Sequence, residues 1–240
     1  MPNNYFQFKQ FTIQQDQCAM KVTTDGCLFG GIAAAKIQKT KINIQSTLDI
    51  GTGTGLLSLM LAQKLTTTID AVEIDEATSS QAKENFAGSP WKDRLHIYNA
   101  DILTFASDKK YDCIITNPPF FEDDLRSSDI NKNNAKHDTA LTLKQLLQAI
   151  DLHLKEDGIF FILLPFHRVA YFEKEAAVFN FFPAEKINVR QMPTHDLFRT
   201  ILLFTTKEIP INIEELTIKE NDNTYTAGFT ELLKDFYLHL

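Results

Sequence analysis

A chain of 240 residues, 44% hydrophobic and 23% charged, has enough apolar material for one full α/β core. Its net charge of −7 argues against a general nucleic-acid coat protein, although a local basic patch remains compatible with it. No apolar run reaches the ~20 residues of a membrane span, and the start, MPNNYFQFKQF, lacks the basic-then-apolar order of a secretory signal. Cys18, Cys27 and Cys113 form no C-x-x-C pair, so neither a disulfide framework nor a zinc or other metal site is expected, and a reducing cytoplasm is the expected compartment.

In chain order, Phe6 and Phe8 share one face of an extended segment, and a helix N-cap is expected at Thr24 or Asp25. Residues 46–51 read as a buried strand and Leu56 to Leu65 as a helix. A strand over 69–74 and a helix over 76–87 follow, then strands over 94–99 and 111–116. Leu143, Leu146, Leu147, Ile150 and Leu154 share one face of a helix over 142–154, with Gly158 as its C-terminal turn before a strand over 159–164. A helix over 167–181, strands at about 185–191 and 199–206, and a closing helix over 227–238 complete the pattern. Alternating strands and helices imply a mostly parallel sheet with helices on both faces. Such sheets bind ligands beyond the carboxyl ends of their strands, where strand order reverses, so chemistry belongs just after residues 51, 73, 99 and 116.

The first of these positions opens the run Asp49-Ile50-Gly51-Thr52-Gly53-Thr54-Gly55, and a helix follows. Glycines there permit a sharp turn and let a ligand approach bare backbone. Glu73 ends the next strand, where a carboxylate can accept from both hydroxyls of a ribose. Asp101, after the third, can accept from an adenine amino group. Ile74 and Ile102 stand beside these acids and are assigned to the same cofactor site. A tight strand-to-helix turn and two solvated carboxylates would be the bland account; their succession at strand ends favours the functional one.

The fourth strand runs into Asn117-Pro118-Pro119-Phe120. An exocyclic amine on a base is a poor nucleophile because its lone pair is delocalised into the ring. Two acceptors aimed at its N–H bonds, the Asn117 side-chain oxygen and the Pro118 carbonyl, favour a pyramidal nitrogen with the lone pair freed. Pro119 removes an N–H and restricts Pro118 to extended conformations. Phe120 offers a flat face for a planar substrate. The bland account is a proline turn after a strand.

The glycine loop resembles that of Rossmann-like methyltransferases using S-adenosylmethionine, and N-P-P-F resembles the N-P-P-aromatic motif of amino-methyltransferases. With F-x-F-K-x-F from Phe6, M-K-V-x-T-D-G from Met20, and Glu73 and Asp101, the chain resembles the bacterial tRNA1(Val) adenine-37 N6-methyltransferases over residues 6–120. The resemblance implies an α/β, Rossmann-like fold with an antiparallel last strand. It implies one methyltransferase domain over 1–240, with an amino-terminal cover at 1–40, a core at 46–206 and an extension at 207–240. It also implies S-adenosylmethionine as cofactor, with Asp49 near its methionine end and Lys21, Thr24 and Asp25 in a segment that closes over it. Gly51, Gly53, Gly55 and Asn117 line the same site. The chain departs from the family at Thr23, where Gly is usual, and across Leu28-Phe29-Gly30-Gly31-Ile32.

The implied substrate is an adenine in a tRNA anticodon loop, bound by a monomer with no obligatory protein partner. Phosphate contacts are expected from Lys132, Lys136 and His137 in the long polar stretch 121–140, and from His167, Arg168, Arg190, His195 and Arg199. Competing readings are a protein-glutamine N5-methyltransferase, an rRNA base N-methyltransferase and a non-catalytic cofactor- or RNA-binding module. The first usually carries Tyr in place of Phe120 and a separate helical amino-terminal domain. A DNA adenine methyltransferase is disfavoured because 240 residues leave no room for a target-recognition domain.

Overall fold

A computed structural model describes residues 3–18, 20–40, 42–119 and 141–240. Phe120, Lys132, Lys136, His137 and the rest of the 121–140 stretch lie outside the described residues. A short antiparallel hairpin, β1 (Tyr5–Gln7) and β2 (Thr12–Gln14), precedes helix α1 (Thr24–Lys39). Then come β3 (Ser46–Ile50), α2 (Leu56–Lys64), β4 (Thr68–Glu73), α3 (Glu76–Ala87), β5 (Leu95–Asn99) and β6 (Tyr111–Thr116). The second half holds α4 (Leu143–His153), β7 (Leu154–Pro165), α5 (Val169–Val178), β8 (Phe182–Arg190), β9 (Leu197–Thr205), β10 (Asn212–Thr217) and α6 (Ala227–Leu233).

The eight-stranded sheet has the order β10-β8-β9-β7-β6-β3-β4-β5. Its strands are parallel apart from β9, which runs antiparallel to both β7 and β8. From β3 the chain builds outward through β4 and β5, then returns to β6 on the other side. The reversal point is therefore the boundary between β3 and β6, where Ile50 and Thr116 are register partners. Gly51 and Asn117 leave the sheet side by side, and the Thr116 hydroxyl donates to the Ile50 carbonyl at 3.0 Å.

Alternate residues of the central strands serve opposite faces. Cys113, Ile115, Phe161 and Leu163 join a core with α1, α2 and α6. Ile114, Phe160, Ile162 and Leu164 join a second core with α4 and α5. Covering both faces explains why β6 and β7 read as continuous apolar runs. Close helix packing depends on small residues: a Cβ at Gly30 would lie 2.6 Å from the Met60 sulfur.

Several boundaries differ from the sequence expectation. The N-cap of α1 is Thr23, whose hydroxyl accepts from the Gly26 amide at 3.2 Å, so Thr24 and Asp25 form the first turn instead. The family departure at Thr23 thus supplies a cap. Gly158 is no helix terminus: α4 ends at His153, and β7 continues through Gly158. The register slips between Tyr111 and Cys113, opposite Leu154 and Ile159, so the extra residues bulge out around Gly158. A Cβ there would meet Leu154 Cδ1 at 2.7 Å, which explains the glycine without a left-handed turn. Helix α5 is shorter than expected at both ends: a 3-10 turn over Phe166–Arg168 precedes it, and it stops at Val178, two residues before the left-handed Asn180 (φ 57). Helix α6 ends at Leu233, five residues before 238. Strand β10 was not foreseen. It pairs parallel with β8 at the sheet edge, and its mostly exposed side chains give no apolar periodicity to read.

Candidate active site

The loop after β3 turns through three left-handed glycines, Gly51 (φ 68), Gly53 (φ 57) and Gly55 (φ 84). A Cβ at Gly51 or Gly53 would touch nothing within 4 Å, so these two glycines border open space, as a loop that admits a ligand to its backbone must. Gly55 instead packs inward, against Phe86 of α3.

Asp49 lies beneath this loop, fully buried. Its Oδ2 accepts from the Thr52 hydroxyl at 2.6 Å and the Ser58 hydroxyl at 2.7 Å, while Oδ1 is buried with no partner among the described residues. Burial pushes the carboxyl up from 3.8 to about 6, against the lowering effect of the two hydroxyls, and the charge of Glu73 adds to the rise. A folded-state value above the unfolded one means that protonated Asp49 stabilises the ligand-free protein below about pH 4, and that this contribution is lost as pH rises through about 6. An ammonium group at Oδ1 would favour the ionised form. Cofactor affinity is therefore expected to rise between pH 5 and pH 7, and Asp49→Asn should flatten that dependence. Calorimetric titrations across this range check it; a wild-type affinity independent of pH would show that no cation approaches Oδ1.

Glu73, at the end of β4, accepts from the Gly53 amide through Oε2 at 3.0 Å and from the Asp75 amide through Oε1 at 3.0 Å. These bonds fix its plane beside the glycine loop and leave each oxygen a further lone pair. Ile74 is 63% exposed next to it, while Ile102 packs into the core beneath. Asp101 lies two residues past Asn99, the register partner of Glu73. Its Oδ1 accepts from the Leu103 amide at 2.9 Å. Across the reversal point, the Asn117 Oδ1 is buried and has no hydrogen-bond partner among the described residues. Pro118 and Pro119 follow it without regular structure and with trans peptide bonds.

The segment of Lys21, Thr24 and Asp25 reaches the same edge. The start of α1 abuts the start of α2, since a Cβ at Gly26 would lie 3.4 Å from Leu56. Arg199 Nε donates to Asp25 Oδ2 at 2.9 Å, so two residues expected to serve different ligands meet each other. Lys21 donates to the Asn3 carbonyl at 3.3 Å, and Thr24 is exposed. Arg190 pairs with Glu215 on β10; His167 and His195 are exposed, and Arg168 is half-buried.

Sequence reasoning missed the residues that hold this arrangement. Buried Asn85 of α3 accepts from the Gln14 amide at 2.8 Å and donates to the carbonyls of Gln14 (3.0 Å) and Thr54 (2.9 Å), tying the hairpin to the glycine loop. Gln81 accepts from the Gln17 amide at 2.8 Å. Ser58, within the apolar run LLSLMLA, carried the one available signal: a hydroxyl on a buried helix face needs a partner.

The family model described as "Methyltransferase small domain" matches residues 33–167. A Bacteroides thetaiotaomicron protein named tRNA1(Val) (adenine(37)-N6)-methyltransferase is 40% identical over 242 residues, covering 100% of each chain. A Dyadobacter fermentans protein of the same name is 43% identical over 244 residues, covering 99% of each. Among solved structures, a predicted O-methyltransferase from Agrobacterium tumefaciens superposes with a TM-score of 0.68 at 13% identity, over 88% of this chain and 95% of that one. A putative RNA methyltransferase from Pyrococcus horikoshii gives 0.54 at 18% identity, over 76% and 80%. Those two likenesses establish the methyltransferase fold alone. The full-length sequence matches go further, and on them the chain belongs to the tRNA1(Val) (adenine(37)-N6)-methyltransferase family, built on the methyltransferase small domain.

Proposed function

We propose that this chain transfers a methyl group from S-adenosylmethionine to N6 of an adenine in tRNA, the adenine next to the anticodon that its relatives' names specify. The observation that carries the reading is the buried Asn117 Oδ1, without a hydrogen-bond partner among the described residues, on the residue that leaves the sheet beside Gly51 at its reversal point. A buried acceptor without a donor is costly and needs a reason. An amine held against it by the substrate supplies one.

The residues present fit the cofactor. Open space faces Gly51 and Gly53, the Asp49 Oδ1 awaits a donor, and Glu73 is fixed where ribose hydroxyls can donate to it. Exposed Ile74 offers an apolar face to the adenine ring, and Asp101 an acceptor to its amino group. Residues 1–40 form the cover, with Lys21, Thr24 and Asp25 at its closing edge. When bound, S-adenosylmethionine supplies an electrophilic methyl on sulfur. The chain's part is to orient and polarise the target. Asn117 Oδ1 and the Pro118 carbonyl accept the two N–H bonds of the amine, Pro119 fixes that carbonyl, and Phe120 stacks on the base, which must leave its own stack to enter. No strong general base is required.

Glu73→Ala should weaken S-adenosylmethionine binding by about 1.5–3 kcal/mol, since charge-assisted hydrogen bonds to ribose are lost. Calorimetry giving an unchanged dissociation constant would remove Glu73 from the cofactor site. The reading as a whole is tested with labelled S-adenosylmethionine and unmodified tRNA transcripts. Transfer is expected to a transcript carrying the target adenine and to vanish when guanine replaces it. Transfer to a protein glutamine instead would favour the competing amide chemistry.

A further inference from the structure

The longest strand of the sheet, β7, runs past the catalytic edge. Thr116, the last residue of β6, pairs with Ile162, so β7 continues three residues further, to Pro165. At ~3.3 Å per residue this raises the following turn about 10 Å above the edge from which Asn117 departs. Phe166, His167 and Arg168 form that turn, and Tyr171 lies in the first turn of α5.

Phe166 is 40% exposed, the one phenylalanine in the exposed class among the described residues of a chain with 19. Tyr171 is 48% exposed. Neither is needed by the core, because α5 buries Val169, Phe172 and Ala176. Helical side chains lean toward the N-terminus, which lays the Tyr171 ring over the turn that carries Arg168. The guanidinium carbon stands 5.3 Å from the ring centroid. Two exposed aromatic side chains and a cation thus stand on the turn and first helical residues above the edge from which Asn117 departs.

We propose that Phe166, Arg168 and Tyr171 form a platform on which the unpaired bases flanking the target adenine stack, selecting RNA that presents it in a single-stranded loop. The platform rests on the tRNA reading above. Every base has a π-face, so stacking holds single-stranded RNA whatever its sequence, whereas a duplex keeps its bases stacked on each other. Stacking also suits an acidic chain: at a net charge of −7, affinity drawn from aromatic faces needs no added cations. Arg168 adds a donor for the phosphate between the stacked bases.

The test uses the full chain with S-adenosylmethionine and an unmodified tRNA, and compares Phe166→Leu, Tyr171→Leu, Tyr171→Phe and Arg168→Gln. Each leucine variant should bind tRNA about 5- to 100-fold more weakly. Tyr171→Phe should stay close to wild type, and cofactor affinity, which also reports folding, should be unchanged in all four. Plotted as log affinity against log salt, the leucine variants should run parallel to wild type, while Arg168→Gln should flatten the slope by roughly 0.7. A stem-loop carrying the target should be bound in preference to the same sequence closed into a duplex. Leucine variants that bind as wild type, or equal binding of loop and duplex, would overturn the platform while leaving the methyl-transfer reading intact. A wild-type chain that transfers no methyl to any tRNA overturns both, and that failure is seen before any variant is compared.

Discussion

Asn117→Ala is expected to lower the single-turnover rate of methyl transfer on the order of 10²–10³-fold, the loss seen when one oriented group stabilising transition-state charge is removed. The Asn117 Oδ1 has no hydrogen-bond partner among the described residues, so substrate has none of those bonds to displace. Its bond to the amine strengthens as the nitrogen pyramidalises, and an interaction stronger in the transition state acts on the rate more than on binding. Cofactor affinity should therefore change little, because the proposed cofactor ligands at that end of the site are Asp49 and Glu73. Single-turnover transfer of labelled methyl, with cofactor binding followed in parallel, separates these effects. A near-normal rate would reduce Asn117-Pro118-Pro119 to a structural turn.

The second large effect concerns the loop itself. Gly55→Ala meets two independent penalties. At φ 84 an alanine pays roughly 1–2 kcal/mol for a left-handed backbone. Its Cβ would also stand 2.4 Å from Phe86 Cε1, a ring buried between α3 and the sheet, and relieving such an overlap costs about 1–3 kcal/mol. The sum of about 2–5 kcal/mol corresponds to a fall in Tm of roughly 4–20 °C for a domain of this size. Phe86→Leu should recover part of it by vacating the ring edge. Gly51→Ala is the control: it keeps the backbone penalty, at φ 68, without the overlap. Thermal unfolding of the two variants side by side checks the difference; equal losses would mean that the Phe86 contact relaxes freely.

These contrasts mark what the sequence made legible. Strands β3, β4 and β6 could be read because their residues are buried on both faces, and the glycines of the loop after β3 because a left-handed backbone demands that residue type. Strand β10 escaped because an edge strand with exposed side chains shows no apolar pattern. Gly158 misled because the sequence displays a glycine near a helix end without revealing whether it turns the chain or clears room for Leu154. The Thr52–Asp49–Ser58 network and the Asn85 tether were invisible for another reason. Hydrogen bonds between residues on different elements depend on where the fold brings them, and nothing local to Asn85 announces that Thr54 and Gln14 will face it. The Asp25–Arg199 pair joins residues 174 apart and was equally hidden. Sequence thus named the candidate groups for the chemistry, and the structure supplied those that hold the candidates in place.

The most direct measurement is mass spectrometry of nucleosides from tRNA of cells with and without the gene for this chain, repeated on the deficient tRNA after treatment with purified protein and S-adenosylmethionine. The account predicts one N6-methyladenosine, next to the anticodon, lost without the gene and restored by the wild-type protein but not by Asn117→Ala. An unchanged nucleoside profile, or a methyl group restored on any atom other than an adenine N6, would contradict it.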